Sequence, residues 1–257
     1  MKNIYLISSL GMSPGVITGL IDALQYSYLE ESYDPKYLAI ITTDHELTRR
    51  SVELIEMDIS QFNPHIKTIP YIISGLSDIH TNEDNFQVMK TFVQAFKQGE
   101  HLKKAGEIDQ IHINIAGGRK TMSGVFTALS NIFPVDKVYH LLTSPEIERN
   151  GHIKNFLNEN NRLSDDLLDD EKLQKCLHPK VAQEKSTLVE IPLLRTVNFD
   201  DLLYTANLIL NREQISNQRI VKMLIRNRII EPVSDHKYSP IKEGKTLFEL
   251  LKYYISI

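Results

Sequence analysis

Ile111-His112-Ile113-Asn114-Ile115-Ala116-Gly117-Gly118-Arg119-Lys120-Thr121-Met122-Ser123 is the stretch on which the fold of this chain turns. A run rich in β-branched residues stops at two adjacent glycines, and a helix-favouring segment starts directly behind them. That is a strand entering a helix through a glycine turn. Outward from it the same grammar repeats, with strand-like runs near 3–8, 37–43, 66–73, 109–115 and 137–142. Helical segments near 14–31, 45–62, 83–104 and 120–132 lie between them. Each is long enough to cross back over a sheet, so the pattern predicts an α/β, Rossmann-like, doubly wound and mostly parallel sheet. Residues 111–115 alternate as a half-exposed strand would, but their setting between helices predicts a central strand with polar tips near a ligand.

The composition allows this architecture. The chain has 257 residues, of which 42% are hydrophobic and 24% charged, enough for one large α/β domain or a domain plus a small appendage. With 29 Lys and Arg against 33 Asp and Glu the net charge is −4, so a polyanion must be met by a local site. The single cysteine, Cys176, excludes an intramolecular disulfide and a cysteine-built zinc site, and fits a reducing cytosol. No apolar run approaches the roughly 18 residues of a membrane span. Met1–Ile7 enters a strand directly, so no signal peptide is expected and the expected location is cytoplasmic.

After Thr143 the alternation breaks down. Residues 158–187 are polar, with Asp165, Asp166, Asp169, Asp170 and Glu171 clustered, which predicts either an exposed helix with its own charged face or a flexible lid. Thr187–Leu194 reads as a strand returning at the sheet edge, because Pro192 cannot donate to a ladder. From Arg195 on there are 10 Lys and Arg and 7 Asp and Glu, a net of +3 that leaves −7 for residues 1–194. The order here is helix (198–211), helix (215–227), a hairpin turning at 234–237, and a closing helix from Gly244, resembling a winged helix. The expected organisation is therefore a Rossmann-like domain over 1–157, a polar segment and edge strand of the same domain over 158–194, and a winged-helix-like domain over 195–257.

Two loops carry the candidate chemistry. Ser8-Ser9-Leu10-Gly11-Met12-Ser13-Pro14-Gly15 joins the first strand to a helix, with Ser13 placed as N-cap, Pro14 in the first turn, and Gly11 and Gly15 admitting a ligand close to the backbone. It is neither GxGxxG nor a P-loop, so a dinucleotide or a Walker-type NTP is not indicated. In the second loop, Gly117 and Gly118 precede Arg119 and Lys120, two cations at a helix start that the macrodipole disfavours. An anionic ligand would offset that cost; the plainer alternative is that both side chains reach carboxylates on a neighbouring helix.

Ser9-Leu10-Gly11-Met12-Ser13-Pro14 with Val16-Ile17-Thr18, Ile40-Ile41-Thr42-Thr43, the Asn114–Ser123 string, His140–Glu146 and Glu190–Arg195 together resemble, in order and spacing, the CARF domains (CRISPR-associated Rossmann fold) of type III CRISPR systems. The resemblance spans about residues 1–197 and is most specific at Gly117–Met122, pointing to a stand-alone, ring-nuclease-like subgroup with an Ala-Gly-Gly-Arg-Lys-Thr-Met loop. It implies a homodimer holding one cyclic oligoadenylate, with cyclic tetra-adenylate as the expected messenger. Gly11, Met12, Ser13, Pro14, Thr18, Gly117, Gly118, Thr121 and Met122 would grip phosphates, while Thr42, Thr43 and the loop Ser74-Gly75-Leu76 would line adenosine pockets. It further implies that bound messenger is cut by a ribose 2′-OH attacking its own 3′-phosphate, with Lys120 stabilising charge, Arg119 helping and Ser9 or Ser13 orienting the hydroxyl.

Three features bound that reading. No HExxH and no histidine pair with metal spacing appears, so neither a metal nor another cofactor is expected. Ribonuclease relatives with HEPN domains need an Arg with a His four to six residues on; Arg149 and His152 are too close, and Arg162 has no His within reach. The alternative function is a non-catalytic sensor whose C-terminal module binds DNA or a protein through Arg212, Arg219, Lys222, Arg226 and Arg228, although a dimer strut is the favoured role for that module. His112 and His140 are expected to be core or edge groups, and Glu146 a surface carboxylate.

Overall fold

The computed structural model describes residues 1–25, 31–164, 166–179, 186–194, 198–234 and 236–257, apart from the side chain of Glu243. Asp165, Asp235, the end of the first expected helix and the residues around Arg195 lie outside the described residues. The chain divides into a larger unit, Met1–Ser130 with Val135–Leu193, and a smaller one, Asn131–Pro134 with Leu194–Ile257.

In the larger unit β1 (Lys2–Leu10), α1 (Gly15–Gln25), β2 (Tyr33–Thr43), α2 (Glu46–Phe62), β3 (Lys67–Ile73), α3 (Asn82–Lys104), β4 (Gln110–Asn114), α4 (Lys120–Ser130) and β5 (Lys137–Leu142) alternate as the apolar runs predict. The sheet order is β3-β2-β1-β4-β5-β6, parallel throughout except for the last pair. This is the mixed α/β, mostly parallel sheet expected. Strands β1 and β4 are buried on both faces, with Ile4, Leu6, Ile7, Ile111 and Ile113 at most 1% exposed, as parallel strands covered by helices must be. β2 starts at Tyr33 rather than near 37. Ile4 faces Pro35 and Tyr5 faces Tyr37, so Lys36 bulges out where Pro35 cannot donate, which is what hid the strand's start.

Beyond β5 come α5 (Pro145–Asn150), a short turn of helix over Ile153–Phe156 and α6 (Glu171–Leu177). The expected helix with a charged face is present as α6, but its other face is buried. Leu167, Leu168, Leu173 and Leu177 are buried with Leu47, Leu54 and Ile153, so the acidic residues form only the outer face of a packed cover. His178, just past α6, sits between two carboxylates: Nδ1 is 2.8 Å from Asp22 on α1 and Nε2 is 2.9 Å from Asp58 on α2. β6 (Thr187–Glu190) is the antiparallel edge strand, and Pro192 lies just beyond its end.

The smaller unit contains α7 (Phe199–Leu210), α8 (Gln218–Arg226), the antiparallel hairpin of β7 (Ile230–Ser234) and β8 (Lys237–Pro240), and α9 (Lys245–Ser256). Its core is apolar and aromatic: Phe133, Phe199 and Tyr254 meet with ring centroids 5.1–5.6 Å apart. Among the described residues of both units no helix is long and apolar enough to cross a membrane.

Candidate functional site

The sheet order reverses its direction of growth between β1 and β4, and at such a switch point the loops leaving the two carboxyl ends part to form a crevice. Those are the loop 11–14 and the loop 115–119, each leading into a helix. Asn114 welds them together. Fully buried, its side-chain amide donates to Ser8 Oγ (3.0 Å) and to the Val16 carbonyl (3.1 Å), while its oxygen accepts from the Ala116 N–H (3.0 Å). Ser9 adds a second weld, its hydroxyl donating to the Gly117 carbonyl at 2.5 Å.

The glycines are there because the loops touch. A Cβ on Gly117 would overlap the Ser9 carbonyl oxygen, and one on Gly11 would press within 3.3 Å of Gly118. Gly118 itself has φ +78°, the left-handed region that costs other residues energy. Gly15 abuts the carbonyl of Cys176, so it serves the packing of α6 on α1.

The Gly11–Gly118 ridge separates two clefts. One, of about 240 Å³, is lined by Gly11, Met12, Ser13, Gly117, Gly118, His140, Thr143 and Glu148 among others. The other, of about 150 Å³, is lined by Gly11, Met12, Thr43, His45, Thr48, Ser77, Gly118, Arg119 and Met122 among others. At the end of the ridge α4 begins with Lys120 and Thr121, both exposed, while the Met122 and Ser123 N–H groups donate to the Arg119 carbonyl at 2.8 and 3.2 Å. Arg119 leans toward the second cleft and pairs with Asp78 at 2.7 Å, its guanidinium half-exposed. A loop carboxylate thus holds that arginine, in place of the neighbouring-helix carboxylate of the plainer alternative.

Of the residues expected to bind, Gly11, Met12, Ser13, Thr43, Gly117, Gly118, Arg119 and Met122 come together along the clefts. Others lie behind them. Ser9 is fully buried and engaged with Gly117, Thr42 donates to the Leu10 carbonyl at 2.8 Å, and Thr18 donates to the Leu177 carbonyl at 2.6 Å. Pro14 is buried immediately before α1, where its carbonyl accepts from the Ile17 N–H at 2.9 Å, so the helix starts one residue later than the expected Ser13 cap places it. Gly75 has φ +74° and donates its N–H to Asp44 at 3.1 Å; its neighbour Ser77 is the residue that reaches the cleft.

Sequence reasoning missed His140, His45 and Glu148. His140 is half-buried at the end of β5 and faces the larger cleft, where an edge group was expected. His45 caps α2, its Nδ1 accepting from the Leu47 N–H at 3.1 Å; no histidine N-cap signal stands out in a sequence. His112 is the core group expected: burial lowers its pKa to about 3, and it packs edge-on to Tyr33 and Tyr139. Glu146 is exposed and lines a separate cleft with Lys172 and Lys175. Among the described residues no cluster of three or more histidine, cysteine or carboxylate groups could hold a metal.

No curated protein matches the chain. Among solved structures, Enterococcus italicus Csm6 bound to cyclic hexa-2′-fluoro-hexa-dAMP aligns over 100% of this chain and 55% of its own, at 11% identity and a TM-score of 0.44. Can2 from Sulfobacillus thermosulfidooxidans in complex with cyclic tetra-adenylate aligns over 98% of this chain and 64% of its own, at 7% identity and a TM-score of 0.32. Protein VC1899 from Vibrio cholerae aligns over 98% and 66%, at 12% identity and a TM-score of 0.30. The chain thus spans little more than half the length of Csm6. The family model of CRISPR-associated protein NE0113 matches residues 13–228, a stretch that takes in the Gly117–Lys120 loop, most residues lining the clefts and more than half of the smaller unit, and the chain belongs to that CRISPR-associated family.

Proposed function

We propose that the protein binds a cyclic oligoadenylate, cyclic tetra-adenylate foremost, across the clefts at the ends of β1 and β4, as a homodimer with its two-fold axis near these loops, and cleaves it. The observation that carries the reading is the ridge of Gly11 and Gly118, with a cleft on each side and Arg119 and Lys120 at the start of α4. A ridge without side chains lets a phosphodiester lie against backbone N–H groups, while the flanking clefts offer room for bases. A symmetric ring is matched by two copies of such a site.

Cleavage follows from positioning. The 2′-oxygen of one ribose attacks the adjacent phosphorus in line, the new O2′–P bond forms as the P–O5′ bond breaks, and the 2′ proton leaves as the 5′ oxygen gains one. The products are a 2′,3′-cyclic phosphate and a 5′-hydroxyl. Lys120 stabilises the charge that gathers on the phosphoryl oxygens, a contribution on the order of 100-fold in rate. Arg119, held by Asp78, changes partner to reach a phosphate. Ser13, which lines the cleft, orients the hydroxyl, and Ser9 acts through the Gly117 carbonyl that it holds.

The test is incubation of the purified protein with cyclic tri-, tetra- and hexa-adenylate in EDTA, with products resolved by chromatography and mass. Linear products ending in a 2′,3′-cyclic phosphate, lost in Lys120→Ala, are expected, together with a dimeric solution mass. Tight binding without products would make the protein a sensor, and no binding of any ring, or a monomeric mass, would overturn the reading.

A further inference from the structure

We infer that the smaller unit binds duplex DNA through the exposed face of α8 together with His236 and Lys237 at the start of β8. Helix α8, Gln218–Arg226, contains no acidic residue and is divided cleanly into two faces. Ile220, Val221 and Leu224 are buried, whereas Gln218, Arg219, Lys222, Ile225 and Arg226 are exposed. At 100° per residue those five fall within about a third of the helix circumference. The result is a stripe of three cations flanked by a glutamine and an isoleucine, groups able to meet phosphates and base edges.

His236, which leads into β8, is fixed beside the start of this stripe. Ile215 donates its N–H to the His236 carbonyl at 3.1 Å, and the Gln218 amide lies 3.4 Å from His236 Nδ1. Lys237 follows on β8 and is exposed, so its charge extends the helix stripe onto the hairpin. A helix laid against a duplex with a hairpin beside it is a known way for a small module to span a groove and the adjoining backbone.

A second observation points the same way. Arg212 and Arg228 close α7 and α8 at φ +58° and +54°, a backbone region where glycine sits without steric cost. Both side chains are exposed. Among the described residues, Arg212, Arg219, Lys222, Arg226 and Arg228 form no ion pair with a carboxylate. Five cations with no ion-pair partner among the described carboxylates, two of them in a backbone state that favours another residue, are matched by an external polyanion. The net charge of −4 for the whole chain does not weigh against this, because phosphate contacts act over about a Debye length.

The experiment is fluorescence anisotropy of the 257-residue chain with a labelled mixed-sequence DNA duplex of about three helical turns, titrated between about 50 and 200 mM salt. Expected is binding that weakens steeply with salt. The double variant Arg219→Gln/Arg226→Gln should lower the slope of log K against log salt by about two, and Arg219→Lys/Arg226→Lys should keep it. Both changes lie on the exposed face and leave the buried stripe of α8 intact, which circular dichroism checks. Absence of duplex binding, an unchanged slope in the glutamine variant, or tighter binding to single-stranded RNA of the same length would overturn the inference.

Discussion

Helix α3 of the larger unit and helices α7 and α8 of the smaller one stop in the same way and fill the stop with different residues. Past each helix the chain turns left-handed, at Gly106 (φ +75°), Arg212 (φ +58°) and Arg228 (φ +54°). The following N–H then reaches back inside the helix, from Glu107 to Leu102, from Glu213 to Leu208 and from Ile229 to Leu224, at 2.8–3.0 Å. One unit takes the residue that costs least, and the other takes a cation twice. The contrast extends to the interiors. The larger unit is tied by buried polar groups, including Asn114, Ser9, Thr18, Thr42 and the Asp22–His178–Asp58 bridge, whereas Thr205 is the buried polar side chain among the described residues of the smaller unit. Packing of apolar faces tolerates changes of pH and charge; a network of buried polar ties does not.

The sharpest way to break that contrast is His178→Ala. Burial opposes the imidazolium, but its hydrogen bonds to Asp22 and Asp58 outweigh this and raise its pKa to about 10. Without the histidine two buried carboxylates face each other with no cation, which costs about 3–5 kcal/mol. The same pairing sets a pH dependence. In the unfolded chain a histidine titrates near 6.5, so the stabilisation is present in full below that pH and is lost as pH rises through about 10. Chemical denaturation at the two ends of that window should show the loss in the wild type and not in His178→Ala. Hydrogen exchange should place it in α1, α2 and α6; equal loss of protection in α7–α9 would remove the contrast.

Gly117→Ala is expected to come next, at about 2–3 kcal/mol, because the new methyl meets the Ser9 carbonyl of a strand that cannot shift. It should also abolish binding of the cyclic tetra-adenylate probe, read by anisotropy or calorimetry, since the ridge would no longer close. Why Gly117 is a glycine was not legible in its own stretch of sequence. The Gly-Gly-Arg-Lys string marks a turn and a charge, but the partner that forbids a side chain is the carbonyl of Ser9, 108 positions away. The parallel sheet was legible because apolar runs and crossover lengths are local facts. His140 and Glu148 were not, because which strand end faces the crevice depends on sheet order, and a single line of residues carries no record of it. The acidic segment misled for a related reason: its charges are what a sequence displays, and Leu168, Leu173 and Leu177 among them are what the fold uses.

The smallest effect tests the contrast at its origin. Exchanging the residues at the helix stops should move stability in opposite directions, Gly106→Arg lowering it and Arg228→Gly raising it by about 1 kcal/mol each. A Cβ at Gly106 meets nothing within 4 Å, so any loss there measures the backbone conformation alone. Thermal denaturation followed by circular dichroism reads both, as a shift of a few degrees. If Arg228→Gly gains nothing, the arginine is stabilising the unit by itself and its place in the chain needs no outside partner. If it gains stability and weakens duplex binding at low salt, then this unit has exchanged folding energy for a charge that only a ligand can use.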